Sequence, residues 1–466
     1  MVRLLLLMVP LAVLASCRTE NPEYCKHFPG TMGCPGEPMN GGGCNNDGDC
    51  KVPGFPACET TINQGTCEPC SATNKGMCKD TTPRCEKNAC VACADDAQDC
   101  QGGVCLSTGD CADTSRIIHA VSSSTKMNNC GDATTPCSLS GALILAAADG
   151  KSVIKLDDSG TFTAMMGFSV SNDVTIDARF GGGATMTRGD DKGAVLTVTS
   201  GKTVTLLGGT IQGGHGGMGS GILCNGATLS VDQTAITGNE QLGIDASNCT
   251  LTVTRAKIEN NMNRGIKASG GSVTLVRTWL DTNSGGGIEV NGDAQFIIVG
   301  NVFVNNGKPN GVIGGINILT GALNNRLEFN SIAENKTQDA ATAGIACFAN
   351  VGFAAKNNIV WNNNSAVTSM PGIQISGSCG HSYSDIGPAP ITGSIDIGNN
   401  QHIDPKFKDN IADLHLTSTS PLQMLQQSDP GTSLDDPKDP AVKDIDGQPR
   451  IAPVNIGADQ YNPPGS

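Results

Sequence analysis

The chain has 466 residues, 60 of them Gly, with 3% aromatic and 16% charged residues and a formal net charge of -14. That length allows two or three domains with real cores, but so few aromatics and charges argue against an ordinary mixed globular enzyme and suit short strands joined by Gly- and Asn-rich turns. The acidic balance and the lack of any Lys/Arg-rich run argue against nucleic acid, whose phosphates the chain would repel.

Residues 1–16 hold one basic residue, Arg3, an apolar stretch from Leu4 to Leu14, and small residues before Cys17. This is the composition of an export signal, with a core too short to span a bilayer comfortably. Leu14-Ala15-Ser16-Cys17 resembles the bacterial lipobox. The resemblance implies cleavage before Cys17 and acylation of its sulfur, so the bilayer becomes a partner of the mature chain through several acyl chains. Residue 18 is Arg rather than Asp, which in the sorting rule this resembles favours the outer membrane. The plainer alternative is a secretory signal followed by one more disulfide-forming Cys.

The 21 cysteines are odd in number; without Cys17, 20 remain and can pair completely. Fourteen of them lie between Cys25 and Cys111, in a segment poor in large apolar residues. Residues 17–113 therefore read as a stalk ordered by disulfides in an oxidising compartment. Cys67-x2-Cys70 and Cys90-x2-Cys93 also have zinc-ribbon spacing, although export disfavours free thiolates. Cys44-Asn-Asn-Asp-Gly-Asp-Cys50 has the composition of a calcium loop without EF-hand spacing, so an Asx-rich turn is the simpler reading.

From residue 114 a solenoid is expected, running to about 400. Cys137 to Gly150 followed by Val153-Ile-Lys-Leu156 resembles the amphipathic helix and first strand that close the N-terminal end of parallel β-solenoids, with Cys130 and Cys137 as the expected staple. Further on, Gly-Ile recurs at 221, 243, 265 and 287, in steps of 22, and then at 315, 344 and 372. Ile236, Ile258, Leu280, Val302 and Ile359 follow the marker Gly by 15 residues, and Val231, Val253, Leu275 and Ile297 follow it by 10. Asn239, Asn261, Asn283, Asn305 and Asn362 come three residues after the first series. A fixed period signals a solenoid, and β-branched alternation such as Leu251-Thr-Val253-Thr signals strands. One coil per repeat gives an all-β parallel β-helix with inward apolar ladders and Asn at equivalent corners. Cys224, Cys249, Cys347 and Cys379 are the remaining disulfide candidates.

These coils resemble right-handed parallel β-helix proteins of the pectate-lyase-like superfamily. Ile403-Asp-Pro-Lys-Phe407, Leu414-His-Leu416, Asp444-Ile-Asp-Gly-Gln-Pro-Arg450 and Asn455-Ile-Gly-Ala-Asp-Gln-Tyr461 resemble the choice-of-anchor Q region of bacterial surface proteins, making 401–466 a C-terminal cap. Asn455 and Gln460 stand where that family carries acidic residues, which puts any network built on those carboxylates in doubt.

Catalysis has little to rest on. Asp190-Asp191 and His215, about one coil apart, are the weak candidates for metal ligands and a base; a charged turn beside a Gly loop is the plainer reading. The sequence is therefore read as a lipid-anchored cell-envelope protein with a structural, adhesive or surface-binding role. A polysaccharide-binding protein and a carbohydrate lyase or hydrolase are the alternatives. No cofactor is required, although Ca²⁺ could bridge carboxylates to an acidic polysaccharide.

Overall fold

The computed structural model describes residues 103–461 apart from short breaks, the longest at 348–352 and 366–371, and isolated stretches between 57 and 100. The segment read as a leader, Cys17 and the segment read as an Asx-rich turn, Cys44 to Cys50, lie outside the described residues. Two compact units divide the chain, Met1–Ala112 and Asp113–Ser466.

In the first unit disulfides do the work of a core. Cys70 bonds Cys85 and Cys78 bonds Cys90; Cys93 bonds Cys105 and Cys100 bonds Cys111. Within each set of four the bridges cross, first to third and second to fourth. Each closes a loop of 11 to 15 residues, which removes roughly 3 kcal/mol of denatured-state entropy in the chain-entropy description. Oxidation of Cys70, Cys90 and Cys93 takes away the thiolates that a zinc ribbon would need, so the zinc reading of the paired Cys-x2-Cys motifs is overturned.

The second unit is a parallel β-helix with three strand-bearing faces. Its coils begin with Ile117–Ala120, which pairs in parallel with Val153–Leu156 across the helix Leu139–Asp149. The Ser138 side chain caps that helix, accepting from Gly141 N at 3.1 Å. Leu139, Ala142, Leu143 and Ala146 bury against the first coils, and the Cys130–Cys137 bridge ties the approach. The first face runs from Phe168–Val170 through Ile288–Asn291 to Ile391–Thr392, the second from Val153–Leu156 to Ile395–Gly398. The third face is a ten-stranded sheet from Thr161–Ala164 to Asp385–Gly387. In two coils the first and second faces merge into single strands, Ile244–Thr254 and Ile266–Val276.

The recurring Gly has a steric cause. A Cβ on Gly243 would stand 2.5 Å from the carbonyl oxygen of Gly265 and 3.0 Å from the Asn261 amide nitrogen. Only a bare backbone lets successive coils approach there. That amide belongs to a buried ladder. Asn239 Nδ2 donates to Asn261 Oδ1, Asn261 to Asn283, Asn283 to Asn306, Asn306 to Asn335 and Asn335 to Asn363, all at 2.8–3.0 Å. Gln374 takes the last donor at 2.8 Å. A second ladder at the corner between the second and third faces links Asn301, Asn330 and Asn358.

The spacing between the first and second faces changes at one turn. Ser269 pairs with Asn291 and Ser272 with Gln295, so the turn 292–294 carries one residue more than its counterpart. Beyond it the inward residues are Ile298, Phe303 and Val360, not Ile297, Val302 and Ile359, and the ladder continues through Asn306 and Asn363, not Asn305 and Asn362. Asn305 and Asn362 instead hold the left-handed corner, with φ of 55° and 50°.

The sequence hides that slip because Val302, Val304, Ala333 and Ile359, which point outward on the third face, are also apolar and buried. Phe407, Leu414, Leu416, Leu422, Ile445 and Ile456 cover them, so the C-terminal segment lies along the third face rather than only closing an end. Arg326 to Asp439 at 2.9 Å and Lys356 to Asp429 at 3.1 Å fasten it further.

Candidate functional site

The outward row of the first face is aligned by strand register: Ser169, Thr197, Leu223, Asp245, Lys267, Glu289, Asn317 and Ala346 succeed one another coil by coil. Its charged stretch is set close to the backbone surface. Glu289 is 7% and Asn317 4% exposed. Glu289 accepts from Arg264 at 3.0 Å, Asn291 at 3.1 Å and Asn317 at 3.2 Å. Burial raises the Asp245 carboxyl above its ordinary range, and the neighbouring Lys267 opposes that. Asn317 Oδ1 and Arg264 Nε are buried with no hydrogen-bond partner among the described residues. One acceptor in the row and one donor beside it are thus left unsatisfied next to a mixed-charge cluster. The coil step lengthens here, from 22 residues between Ile266 and Ile288 to 28 and 29 between Ile288, Ile316 and Ile345.

The sequence candidates sit elsewhere. Residues 188–193 and 213–217 are neighbours: Gly193 N donates to His215 O at 2.6 Å. Their side chains have separate partners. Arg188 forms a forked pair with Asp190 and also donates to the carbonyls of Met166, at 2.6 Å, and Ala194, at 2.9 Å. The hydrogen bond from Arg188 lowers the Asp190 carboxyl. His215 Nδ1 meets Glu240 Oε1 at 3.0 Å, and Gly216 N donates to Oε2 of the same carboxylate at 2.7 Å. These bonds lower the Glu240 carboxyl. Asp190, Asp191 and His215 do not form a ligand set among the described residues. Glu240, from the next coil, was legible only through the 25-residue offset to His215.

Cys224–Cys249 and Cys347–Cys379 each join adjacent coils within the core, with Cα atoms 6.0 and 5.5 Å apart.

Three groups of residues among those described have metal-ligand proximity, and two of them are Cys groups held in disulfides. The third is His415, Asp446 and Asp459 in the C-terminal segment. Here His415 bonds Asp413 through Nδ1, and its Nε2 lies 3.0 Å from Asp446. Burial drives Asp459 up to about 6. Burial would also raise Asp413, but hydrogen bonds from Lys408 and His415 outweigh it and hold that carboxyl at about 2. Asn455 and Gln460 satisfy each other's surroundings without charge: Asn455 N donates to Gln460 Oε1 at 3.1 Å, and Asn455 Oδ1 accepts from Tyr461 N at 3.0 Å.

A parallel β-helix with a tight Asn corner, one lengthened edge and a polar outward row defines the class of protein. The model of the right handed beta helix region matches residues 168–303 and 221–400, and the chain belongs to that family. Among solved structures, one described as the crystal structure of pectate lyase Pel9A is similar with a TM-score of 0.49 and 15% identity, covering 74% of this chain and 96% of that one. No curated protein matches the chain.

Proposed function

We propose that this is a lipid-anchored protein of the bacterial outer membrane whose β-helix is a rigid binding rod for a polar polymer, a polysaccharide or other cell-surface glycan, held on the first face. The observation that carries the reading is the row Asp245, Lys267, Glu289 and Asn317, in register and half-buried to buried, with Asn317 Oδ1 and Arg264 Nε unpartnered. Among the described residues, both tryptophans are committed elsewhere. Trp279, Trp361 and Tyr461 pack against the C-terminal cover of the third face. Hydroxyl and carboxylate groups of a sugar suit the paired donors and acceptors of the first face instead, and Ca²⁺ can bridge uronates to Asp245 or Glu289.

Anchoring rests on Leu14-Ala15-Ser16-Cys17, and the disulfides fit an exported chain. The C-terminal segment, with its choice-of-anchor Q-like motifs, keeps the opposite side of the rod covered.

Retention of the purified full chain on immobilised neutral and uronic-acid polysaccharides, with and without Ca²⁺, tests this. Retention on one glycan class, lost in Lys267→Ala with Asn317→Ala while Lys257→Ala on the third face still binds, is the expected result. Release of new reducing ends would replace binding with cleavage. Equal retention of all variants would remove the first face from the reading.

A further inference from the structure

The C-terminal segment gathers one imidazole and two carboxylates from three separate stretches: His415 in the strand Asp413–Leu416, Asp446 in the turn 444–448, and Asp459 just before the end of the described chain. One ligand atom of each lies within 4.8 Å of the other two. Asp413 engages Nδ1 of His415, which leaves Nε2 as the nitrogen facing the group. A carboxylate on the far ring nitrogen is how proteins fix the tautomer and orientation of a metal-binding His.

A second observation is an unsatisfied carboxylate oxygen two residues from Asp446. Asp444 is wholly buried. Its Oδ1 accepts from Asp446 N at 3.1 Å and Gln448 N at 2.7 Å, whereas Oδ2 is buried without a partner. The nearby Arg450 supplies positive charge to Asp444 and Asp459 but turns its Nη groups to the carbonyls of Asn455, Gly457 and Ala458, to which they donate. Asp459 makes its one hydrogen bond among the described residues with Leu416 N, at 2.8 Å.

We propose that His415 Nε2, Asp446 and Asp459 bind a divalent transition-metal ion of the zinc type, with Asp413 as the positioning residue. An imidazole with two carboxylates suits zinc and its neighbours, whereas calcium and magnesium favour all-oxygen sets. The ion ties together three stretches of the segment that covers the third face, and three protein ligands leave a position for water or a polar group.

Trp279 gives the test its readout, since its ring centroid is 6.3 Å from that of His415. The full chain, stripped with a chelator, is titrated with zinc by calorimetry and by tryptophan fluorescence. One saturable equivalent with a fluorescence change is expected, unaffected by millimolar Ca²⁺. His415→Ala should lose the site, and Asp446→Asn, at a half-exposed side chain that leaves the fold intact, should lose it too. Asp413→Asn should weaken binding about 10- to 100-fold without touching the ion. His215→Ala should change nothing. Zinc stoichiometry and fluorescence response unaltered in both His415→Ala and Asp446→Asn would overturn the site, and displacement of zinc by Ca²⁺ would overturn the choice of metal.

Discussion

Single buried polar atoms set much of this protein's chemistry, and Asp385 shows how. It is wholly buried at the last strand of the third face; Oδ1 accepts from Ile403 N at 2.9 Å and Oδ2 has no partner. Burial pushes its carboxyl up to about 7; the bond from Ile403 N and the charge of His402 act against that, and the charge of Asp404 adds to it. An unfolded Asp titrates near ~3.9. Between those two values the folded chain keeps a proton that the unfolded chain has lost. Stability from this group is therefore full below the unfolded pKa, falls as pH rises, and reaches its lowest level above about 7. Asp385→Asn has no proton to lose, and its amide retains the acceptor for Ile403 N. The variant should match the parent near pH 4 and exceed it at pH 8 by roughly a few kcal/mol at most. Thermal melts across that range measure the gap, and a gap that does not grow with pH would show that burial does not raise this carboxyl in the folded chain.

At the level of elements, the strands and their period were legible because Gly-Ile and the apolar alternation recur, and physical necessity lies behind both. Gly243 has no room for a Cβ, and Ile236, Ile258 and Leu280 stack inward. The capping helix was legible through its resemblance to the helix that closes such solenoids, since an open end would expose the apolar ladders. Register on the second and third faces beyond 292–294 was not, because one added turn residue moves the side chains that follow it in the coil to the opposite face, while Ile316 and Ile345 on the first face stay inward. There both faces are apolar, one for the core and one for the C-terminal cover, so hydrophobicity cannot tell them apart. The candidate site was less legible still. The first-face row needs coil-to-coil register to assemble, and His415, Asp446 and Asp459 are brought together only by tertiary packing. The corrected register makes a sharp contrast between adjacent residues. Asn306→Ala removes the acceptor for Asn283 Nδ2 and the donors to Asn335 Oδ1 and Leu280 O, all buried. It should cost about 2–4 kcal/mol. Asn305→Ala gives up chiefly a left-handed corner and should cost only about 1–2 kcal/mol. Denaturant midpoints of the two variants decide the register; the reverse order would restore the uncorrected one.

For the whole molecule, the parity of its cysteines turns anchoring into something that can be counted. Among 21 cysteines, acylation of Cys17 leaves 20, which can all pair, so the exported, denatured chain should show no reactive thiol. If Cys17 is instead an ordinary partner in a bridge, an odd total leaves at least one thiol free, wherever it lies. Acyl chains also decide where the protein is found, because several together hold it to a bilayer where one alone is marginal. The native chain should therefore fractionate with membranes, take up labelled fatty acid and react with no thiol reagent. Cys17→Ser should be unlabelled and leave the membrane fraction, still without a free thiol, since the other 20 remain paired. A native chain that carries one reactive thiol and no label would remove the lipid anchor. The β-helix and its first face would then belong to a secreted protein, and the search for a bound glycan would move from the cell's own surface to what surrounds it.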